Sequence, residues 1–254
     1  MAEWKRLIID WPTDQSYPPV APRDSSMARK LLAVVADRHA DNPRCALPPA
    51  VFHRTKNADG TLRGIDGISP IRIAARPGGI MITAVGDDAV DLLEAVGHRV
   101  TRMFSAEAGQ PLREHFSGGM MHLSASKTLR CYLIPYCVVS RHPAKALADG
   151  DAITKSDLTP SLKSWLERKI SDSLVRQAAL VRLPEPDEPL IDVTSVGGFG
   201  GWNRDGAFFG IVAHDLVFRA DLHLMGPWNV GHLSSLNAGA VYPQTDRIKR
   251  EPAG

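Results

Sequence analysis

The chain has 254 residues, of which 44% are hydrophobic and 23% charged, and its formal net charge is +2. This composition is typical of a globular protein with one large or two small domains, and it excludes wholesale disorder and a collagen-like fold. Arginine supplies 21 of the 30 cationic side chains. That bias fits contacts with RNA phosphates and bases, and it fits a GC-rich genome equally well.

The cysteine content and the apolar runs predict a cytoplasmic protein. Cys45, Cys131 and Cys137 have neither zinc-site nor CxxC spacing, so we expect reduced thiols in a core. The first eleven residues mix charged and apolar side chains, unlike a signal peptide. No apolar run approaches the roughly 18–20 residues that span a bilayer, and we expect no membrane association.

The first predicted elements are a strand and a helix. The strand covers Lys5 to Trp11, where Leu7, Ile8 and Ile9 lie in a loose alternation. Asp24 or Ser25 can cap a helix that runs to His39. Its predicted apolar stripe is Met27, Leu31, Val34 and Val35.

The next elements complete a repeating order of strands and helices. Extended segments are predicted at Ala50–Arg54, Ile71–Arg76 and Ile80–Val85. A helix capped by Asp87 follows, with apolar residues spaced by three and four as far as Met103. A strand at Leu129–Val139 closes a βαββαβ order, which predicts a ferredoxin-like domain over residues 1–140.

The rest of the chain predicts a helical insertion and a second set of strands. Residues 141–189 form the insertion and an acidic, proline-rich hinge. The insertion helix has one predicted apolar face, formed by Leu162, Trp165, Leu166, Ile170, Leu174 and Ala178. Residues 190–254 return to strands, and the clean alternation from Leu216 to Leu224 indicates a half-buried strand. We interpret this segment as part of a second ferredoxin-like fold. The predicted fold class is therefore α+β, with two ferredoxin-like folds and a helical insertion.

Glycines cluster near the carboxy terminus. The segment Val230–Val241 contains Gly231 and Gly239, and an earlier cluster at residues 197–204 ends in Arg204. Glycines let a backbone approach phosphates closely and expose N–H groups to them. Either cluster is also compatible with a simple hairpin turn.

The carboxy-terminal segment carries a resemblance to a known family. A strand ending Leu222-His223-Leu224 leads through Gly226 and Gly231 to Gly239-Ala240-Val241. This pattern resembles the glycine-rich loop of the repeat-associated RNA-binding proteins of CRISPR systems, and above all their repeat-cutting endoribonucleases. His232 stands where the family's loop usually has its second glycine. The predicted helical insertion looks like the finger of the type IV branch.

The resemblance implies an antiviral endoribonuclease that needs neither a metal nor another cofactor. The 2′-hydroxyl of the RNA would attack the scissile phosphate, leaving a 2′,3′-cyclic phosphate and a 5′-hydroxyl. The implied partners are the CRISPR repeat stem-loop RNA, which the enzyme would keep bound, and other effector subunits. Two alternatives stay open: a non-catalytic RNA-binding subunit of a CRISPR complex, and an unrelated α/β enzyme acting on a small molecule.

Three residues near the first predicted helix are candidates for catalysis. At about 100° per residue, Arg38 continues the stripe that begins at Met27. The family that this chain resembles places its catalytic groups around this helix. The role of Arg38 would be to clamp the scissile phosphate, whereas His39 is suited to proton transfer. Arg23 lies in the preceding loop. The alternatives are a helix-dipole contact for Arg38 or His39 and a solvated Arg23.

The remaining candidates are expected to contact RNA. The insertion helix offers a cationic face that could equally be a solvated surface, and the two glycine clusters offer polar donors. The predicted RNA-binding residues are Lys163, Arg168, Lys169, Arg176, Arg204, Gly231, His232, Ser234, Ser235, Asn237 and Gly239. Glu114, His115 and His122 do not match the HExxH spacing, so no metal site is predicted.

Overall fold

A computed structural model describes residues 1–11, 25–52, 54–64, 68–76, 78–140, 158–204, 207–232 and 238–244. The chain divides into two compact units. Unit 1 comprises residues 1–122, 176–183 and 233–237, and unit 2 comprises the remainder. The boundaries between the units therefore fall inside elements as well as between them.

Unit 1 is built on an antiparallel sheet with two helices. Its elements are strand β1 (Ala2–Asp10), helix α1 (Ser25–Arg38), a 3-10 turn (Pro49–Phe52), the short strands β2 (Arg54–Lys56) and β3 (Leu62–Gly64), strands β4 (Ile71–Arg76) and β5 (Gly79–Val85), helix α2 (Asp87–Ala108) and the first part of strand β6 (Arg113–Ser140). The sheet order is β4-β5-β1-β6, with antiparallel neighbours throughout. The predicted βαββαβ order is confirmed.

The core of unit 1 lies between its helices and one face of this sheet. Alternating residues of β1, β4 and β5 supply Leu7, Ile9, Ile73, Ile80 and Ile82, all essentially inaccessible. Burying one such side chain stabilises the fold by about 1.5–3 kcal/mol. The helices α1 and α2 pack against this face and against each other, so the sheet determines which face of each helix is buried.

The phase of α1 differs from the prediction. Ala28, Leu32 and Val35 are buried, whereas Val34 is half exposed. The predicted stripe is therefore confirmed at Val35 and wrong at Val34, because the stripe that packs is rotated relative to it. Arg38 therefore does not continue the buried stripe, and 62% of its side chain is exposed. His39 does continue it, eleven residues after Ala28.

Two other local predictions also change. Residues 50–54 are not one extended segment, because the Pro49–Phe52 turn precedes β2. The cap of α2 is Gly86, which has a positive φ of 85°, and not Asp87, which is the first helical residue. The acidic first turn of α2, Asp87 and Asp88, still complements the positive end of the helix dipole.

Unit 2 combines the second part of β6 with the later strands and one described helix. Its helix is α3 (Pro160–Leu180), of which residues 160–175 belong to unit 2. Its other elements are strands β7 (Ile191–Ser195), β8 (Gly198–Arg204), β9 (Ala207–Met225) and β10 (Tyr242–Pro243). Strand β9 lies between β6 and β7 and also pairs with β8, while β10 pairs with β6. With this large antiparallel sheet and few helices, the predicted α+β class is confirmed.

The alternation predicted for β9 is confirmed by burial. Leu216, Phe218, Ala220, Leu222 and Leu224 are all buried, and Arg219 between them is exposed. Strand β9 continues without interruption from Ala207 to Met225. Strand β6 begins at Arg113, well before the predicted start at Leu129. Polar and glycine residues in this extension of β6 masked its strand character in the sequence.

Helix α3 buries the stripe that its spacing predicted. Leu162, Leu166, Ile170, Leu174 and Ala178 are buried, at intervals of four residues. The three cysteines form no disulfide. Cys45 and Cys137 are buried as expected, but Cys131 is partly exposed. In the described part of the chain, no helix is long and apolar enough to cross a bilayer.

The helical phase of α1 predicts a contrast between two neighbouring valines. Val35 is 1% exposed and Val34 is 49% exposed. We expect Val35→Ala to lower the free energy of unfolding by about 2 kcal/mol, because it removes buried methyl groups and leaves a cavity. Val34→Ala should change it by less than about 0.5 kcal/mol. Urea midpoints at constant slope measure both variants. Equal midpoints would contradict the observed phase.

Candidate functional site

Three polar residues of unit 1 meet where α1 and α2 end. Arg38 is the last residue of α1, His39 follows it, and Glu107 lies in the last turn of α2. Arg38 Nη1 donates to Glu107 Oε2 at 2.8 Å. His39 Nε2 lies 3.3 Å from the other oxygen, Glu107 Oε1. One carboxylate therefore holds a guanidinium and an imidazole together.

The two basic groups of this cluster differ in exposure. The side chain of Arg38 is largely in solvent, whereas those of His39 and Glu107 are 22% and 19% exposed. His39 Nε2 itself is buried, and within the described residues it makes no aligned hydrogen bond. It nevertheless lies within 3.3 Å of Glu107 Oε1.

Glu107 was not anticipated from the sequence, although a signal was present. It follows Met103 by four residues and so continues the buried stripe of α2. A carboxylate at such a position requires a partner. His39 stands in the same relation to the stripe of α1. Two polar residues that each extend an apolar stripe were therefore candidates to meet.

This arrangement can support proton transfer and binding of a phosphate. A carboxylate beside an imidazole can fix the orientation of the ring. A solvent-facing guanidinium can form paired hydrogen bonds to a phosphate. Arg38 and His39, two of the three predicted catalytic residues, thus contact the same carboxylate. Arg23 lies outside the described residues.

The glycine-rich segment of unit 2 is fastened to β6 by its own backbone. Gly239 N–H donates to the carbonyl of Tyr136 at 2.6 Å, and His232 N–H donates to that of Val138 at 2.8 Å. Gly231 N–H donates to Ser173 Oγ on α3 at 3.0 Å. These three N–H groups therefore have protein acceptors, contrary to the expectation that this segment exposes them to phosphates.

Gly231 and Gly239 are also required sterically. Their φ angles are 82° and 76°, which other residues rarely adopt. A Cβ on Gly239 would lie 1.7 Å from the carbonyl oxygen of Val230. One on Gly231 would lie 2.7 Å from the carbonyl oxygen of Val138 and 2.8 Å from Cys137 Sγ. Both glycines thus have a packing role, and residues 233–237, with Ser234, Ser235 and Asn237, lie outside the described residues.

The predicted cations of α3 have different surroundings. Lys163 Nζ lies 2.5 Å from Asp192 and 3.6 Å from Glu167, and its hydrogen bond to Asp192 raises the pKa of Lys163. Lys163 is thus part of an ion-pair network between α3 and β7. Arg168 and Arg176 are exposed, and Lys169 is half-buried. Arg204 ends β8, where its backbone pairs with Ala207.

Arg72 is a buried arginine on the face of the unit 1 sheet opposite the core residue Ile73, and it adds a positive charge there. Arg72 is 1% exposed and lies opposite Thr83, whose hydroxyl accepts a hydrogen bond from Arg6 Nε at 3.4 Å. Burial, reinforced by the charge of Arg6, lowers the pKa of Arg72 to about 9.

Among the described residues, no group of three or more His, Cys, Asp or Glu side chains is arranged to hold a metal ion.

Comparisons with known proteins identify relatives of this chain. The model of the family described as type IV CRISPR-associated endonuclease Csf5 matches residues 21–245. A solved structure of Csf5, described as the type IV Cas6 crRNA endonuclease, aligns over 96% of this chain and 100% of its own, with 18% identity and a TM-score of 0.62. A Cas6b crystal structure aligns over 95% and 100%, with 12% identity and a TM-score of 0.60. A search of curated proteins finds no match.

The packing of the glycine-rich segment predicts the effect of two glycine substitutions. Gly239→Ala places a methyl group against the carbonyl of Val230, whereas Gly198→Ala meets nothing within 4 Å. Burial raises the pKa of Cys137 to about 12, so its thiol is neutral at pH 8 and reacts slowly. We expect Gly239→Ala to speed iodoacetamide labelling of Cys137 at least tenfold, measured by mass spectrometry, and Gly198→Ala to leave it unchanged. Equal protection in both variants would show that the segment tolerates the methyl group.

Proposed function

The chain belongs to the type IV CRISPR-associated endonuclease family, and from this membership we propose that it cleaves precursor CRISPR RNA within its repeats. Cleavage needs no metal ion, and the protein stays bound to the repeat hairpin of the product. The observation that carries the proposal is the cluster of Arg38, His39 and Glu107, which offers a proton-transfer group beside a phosphate-binding group.

The proposed reaction is an in-line attack of the 2′-hydroxyl on the adjacent phosphorus. The bond from phosphorus to the 2′-oxygen forms while the bond to the 5′-oxygen breaks. The 2′-hydroxyl loses its proton and the leaving 5′-oxygen gains one, so the products are a 2′,3′-cyclic phosphate and a 5′-hydroxyl. Because His39 Nε2 is directed at Glu107, Nδ1 is the nitrogen that exchanges a proton with the RNA.

Arg38 has a different role in this proposal. Guanidinium stays protonated at neutral pH, so it cannot act as a base. Its exposed end binds the non-bridging oxygens of the scissile phosphate and neutralises the charge that develops on them. Arg23 is proposed as a second cation at this phosphate. Glu107 orients both groups and does not touch the RNA.

The RNA backbone is proposed to follow the exposed cations of α3. Arg168 and Arg176 are accessible, and Lys169 is partly so. Arg204, His232 and the polar residues Ser234, Ser235 and Asn237 add further proposed contacts. Lys163 contributes less than the sequence predicted, since two carboxylates already neutralise it. The resulting complex of protein and repeat RNA would join other effector subunits in the cytoplasm.

The alternative function is a non-catalytic RNA-binding subunit. One observation favours it: Glu107 binds both Arg38 and His39, which is also the geometry of a structural ion pair that joins two helix ends. In that case the cluster stabilises unit 1 and takes no part in chemistry. Variants of the cluster separate the two functions, because only an enzyme loses cleavage while it keeps affinity.

Cleavage of a labelled repeat RNA in EDTA tests the proposed function. We expect His39→Ala to slow single-turnover cleavage by about 10²–10⁴-fold and Arg38→Ala by about 10²–10³-fold. Arg38→Lys should recover only part of the rate, since an ammonium cannot form the paired hydrogen bonds of a guanidinium. Each variant should bind the RNA within about threefold of the wild-type affinity. Glu107→Gln should give a smaller loss, because the amide still accepts a hydrogen bond from Arg38.

The controls separate chemistry from folding. Urea midpoints establish that the variants remain folded, and Arg182→Ala, on the exposed turn after α3, is the matched control for the loss of a surface arginine. If cleavage requires added magnesium, the metal-free mechanism is wrong. If wild-type protein binds the repeat but leaves it intact, the non-catalytic function is correct. Unfolding of the Arg38→Ala protein would show a structural ion pair.

Salt dependence tests the proposed path of the RNA along α3. Each phosphate contact releases counterions, so its loss flattens the plot of log affinity against log salt by about 0.7–0.9. We expect Arg168→Glu and Arg176→Glu, made separately, each to lower the slope by about this amount. Arg182→Glu is the control and should leave the slope unchanged. Unaltered slopes for both α3 variants would mean that this helix does not follow the RNA.

A further inference from the structure

We propose that Tyr136 and His214 form a stacking platform for an unpaired base of the bound RNA, an inference that rests on the proposed function. Tyr136 lies on β6 and His214 on β9, both in unit 2. Their ring centroids are 5.6 Å apart with an interplanar angle of 70°. Tyr136 is 37% exposed, and His214 is also exposed.

The geometry of this pair fits an aromatic binding surface better than a core contact. Edge-to-face aromatic contacts are favourable, so each ring restricts the rotation of the other. Binding of a base therefore costs little further side-chain conformational entropy. Because the rings are nearly perpendicular, the pair cannot cover both faces of both rings. Because both side chains are also exposed, a flat base can stack on the accessible part of either ring.

The neighbouring strand leaves room for a ligand. His214 pairs with Gly198 of β8, and a Cβ on Gly198 would meet nothing within 4 Å. A Cβ on Gly200 would lie 3.1 Å from His214 Nε2, so the histidine ring lies against this glycine. The glycines of the second cluster thus support the ring and keep the space beside it open. That role differs from the direct RNA contact predicted for the cluster.

The charges around the platform favour a base over a phosphate. Residues 134–138, 197–201 and 212–216 include no lysine or arginine. A phosphate would therefore find no cation in these three segments, whereas a neutral base needs none. Stacking on aromatic rings is open to all four bases.

The platform also adjoins the glycine-rich segment. The carbonyl of Tyr136 accepts the hydrogen bond from Gly239 N–H. A residue of the platform therefore anchors the segment in which the family resemblance was found. This continuity favours RNA as the occupant over a small molecule or a peptide.

The experiment compares RNA with and without bases. The probes are a ten-nucleotide oligoadenylate and a ten-unit abasic ribose-phosphate oligomer, with affinities measured for wild type, Tyr136→Ala, Tyr136→Trp and His214→Ala. Tyr242→Ala, which removes another exposed tyrosine, is the matched control. We expect Tyr136→Ala to weaken oligoadenylate binding by about 5- to 150-fold and to leave abasic binding unchanged. His214→Ala should weaken it less, and Tyr136→Trp should retain it.

Each outcome decides the inference. Equal losses for both probes would show a structural or phosphate effect and overturn it, and protection of Cys137 from labelling reports whether the adjacent backbone has moved. Unchanged affinity of Tyr136→Ala, with wild type still binding oligoadenylate and cleaving the repeat, overturns the platform alone. A wild-type protein that neither binds these probes nor binds or cleaves the repeat contradicts the proposed function as well.

Discussion

The packing of α1 against the sheet of unit 1 is the constraint on which the candidate site depends. Ala28, Leu32 and Val35 must face Ile73 and the rest of the core, because exposing them would lose several kcal/mol of hydrophobic stabilisation. A helix that is fixed in this way has no remaining freedom of rotation. His39, the residue after the last turn, is therefore directed toward the protein interior, and Arg38 is directed toward solvent.

The same constraint acts on α2 and brings Glu107 to the histidine. Neither polar residue is held in place by a long local network. Each is the next position on a stripe that apolar residues have already oriented. The core therefore aligns a carboxylate and an imidazole at the edge of unit 1. Arg38 reaches the same carboxylate from the solvent side, which leaves the guanidinium accessible to a phosphate.

In unit 2 the backbone of the glycines packs closely against neighbouring backbone segments, whereas the candidate site of unit 1 depends on packed side chains. Gly231 allows the backbone at its own position to lie directly against Val138 of β6, and Gly239 allows an equally close approach to Val230, so a side chain at either position would prevent this packing. The N–H groups that seemed available for phosphates instead fasten the segment. The consequence is an ordered backbone beside Tyr136 and His214. Gly231 and Gly239 thus have a packing role, whereas the open space beside the proposed platform lies at Gly198.

The sequence by itself determined the order of elements, the buried faces of α2, α3 and β9, and the resemblance to repeat-cutting endoribonucleases, because local periodicity and a short motif carry that information. The phase of α1 required the tertiary structure, since Leu31, Leu32, Val34 and Val35 form two overlapping stripes and only packing chooses between them. Glu107, Tyr136 and His214 likewise depended on contacts between residues far apart in the chain. Pairings between helix ends and across strands arise when the sheet closes, and no local pattern encodes them.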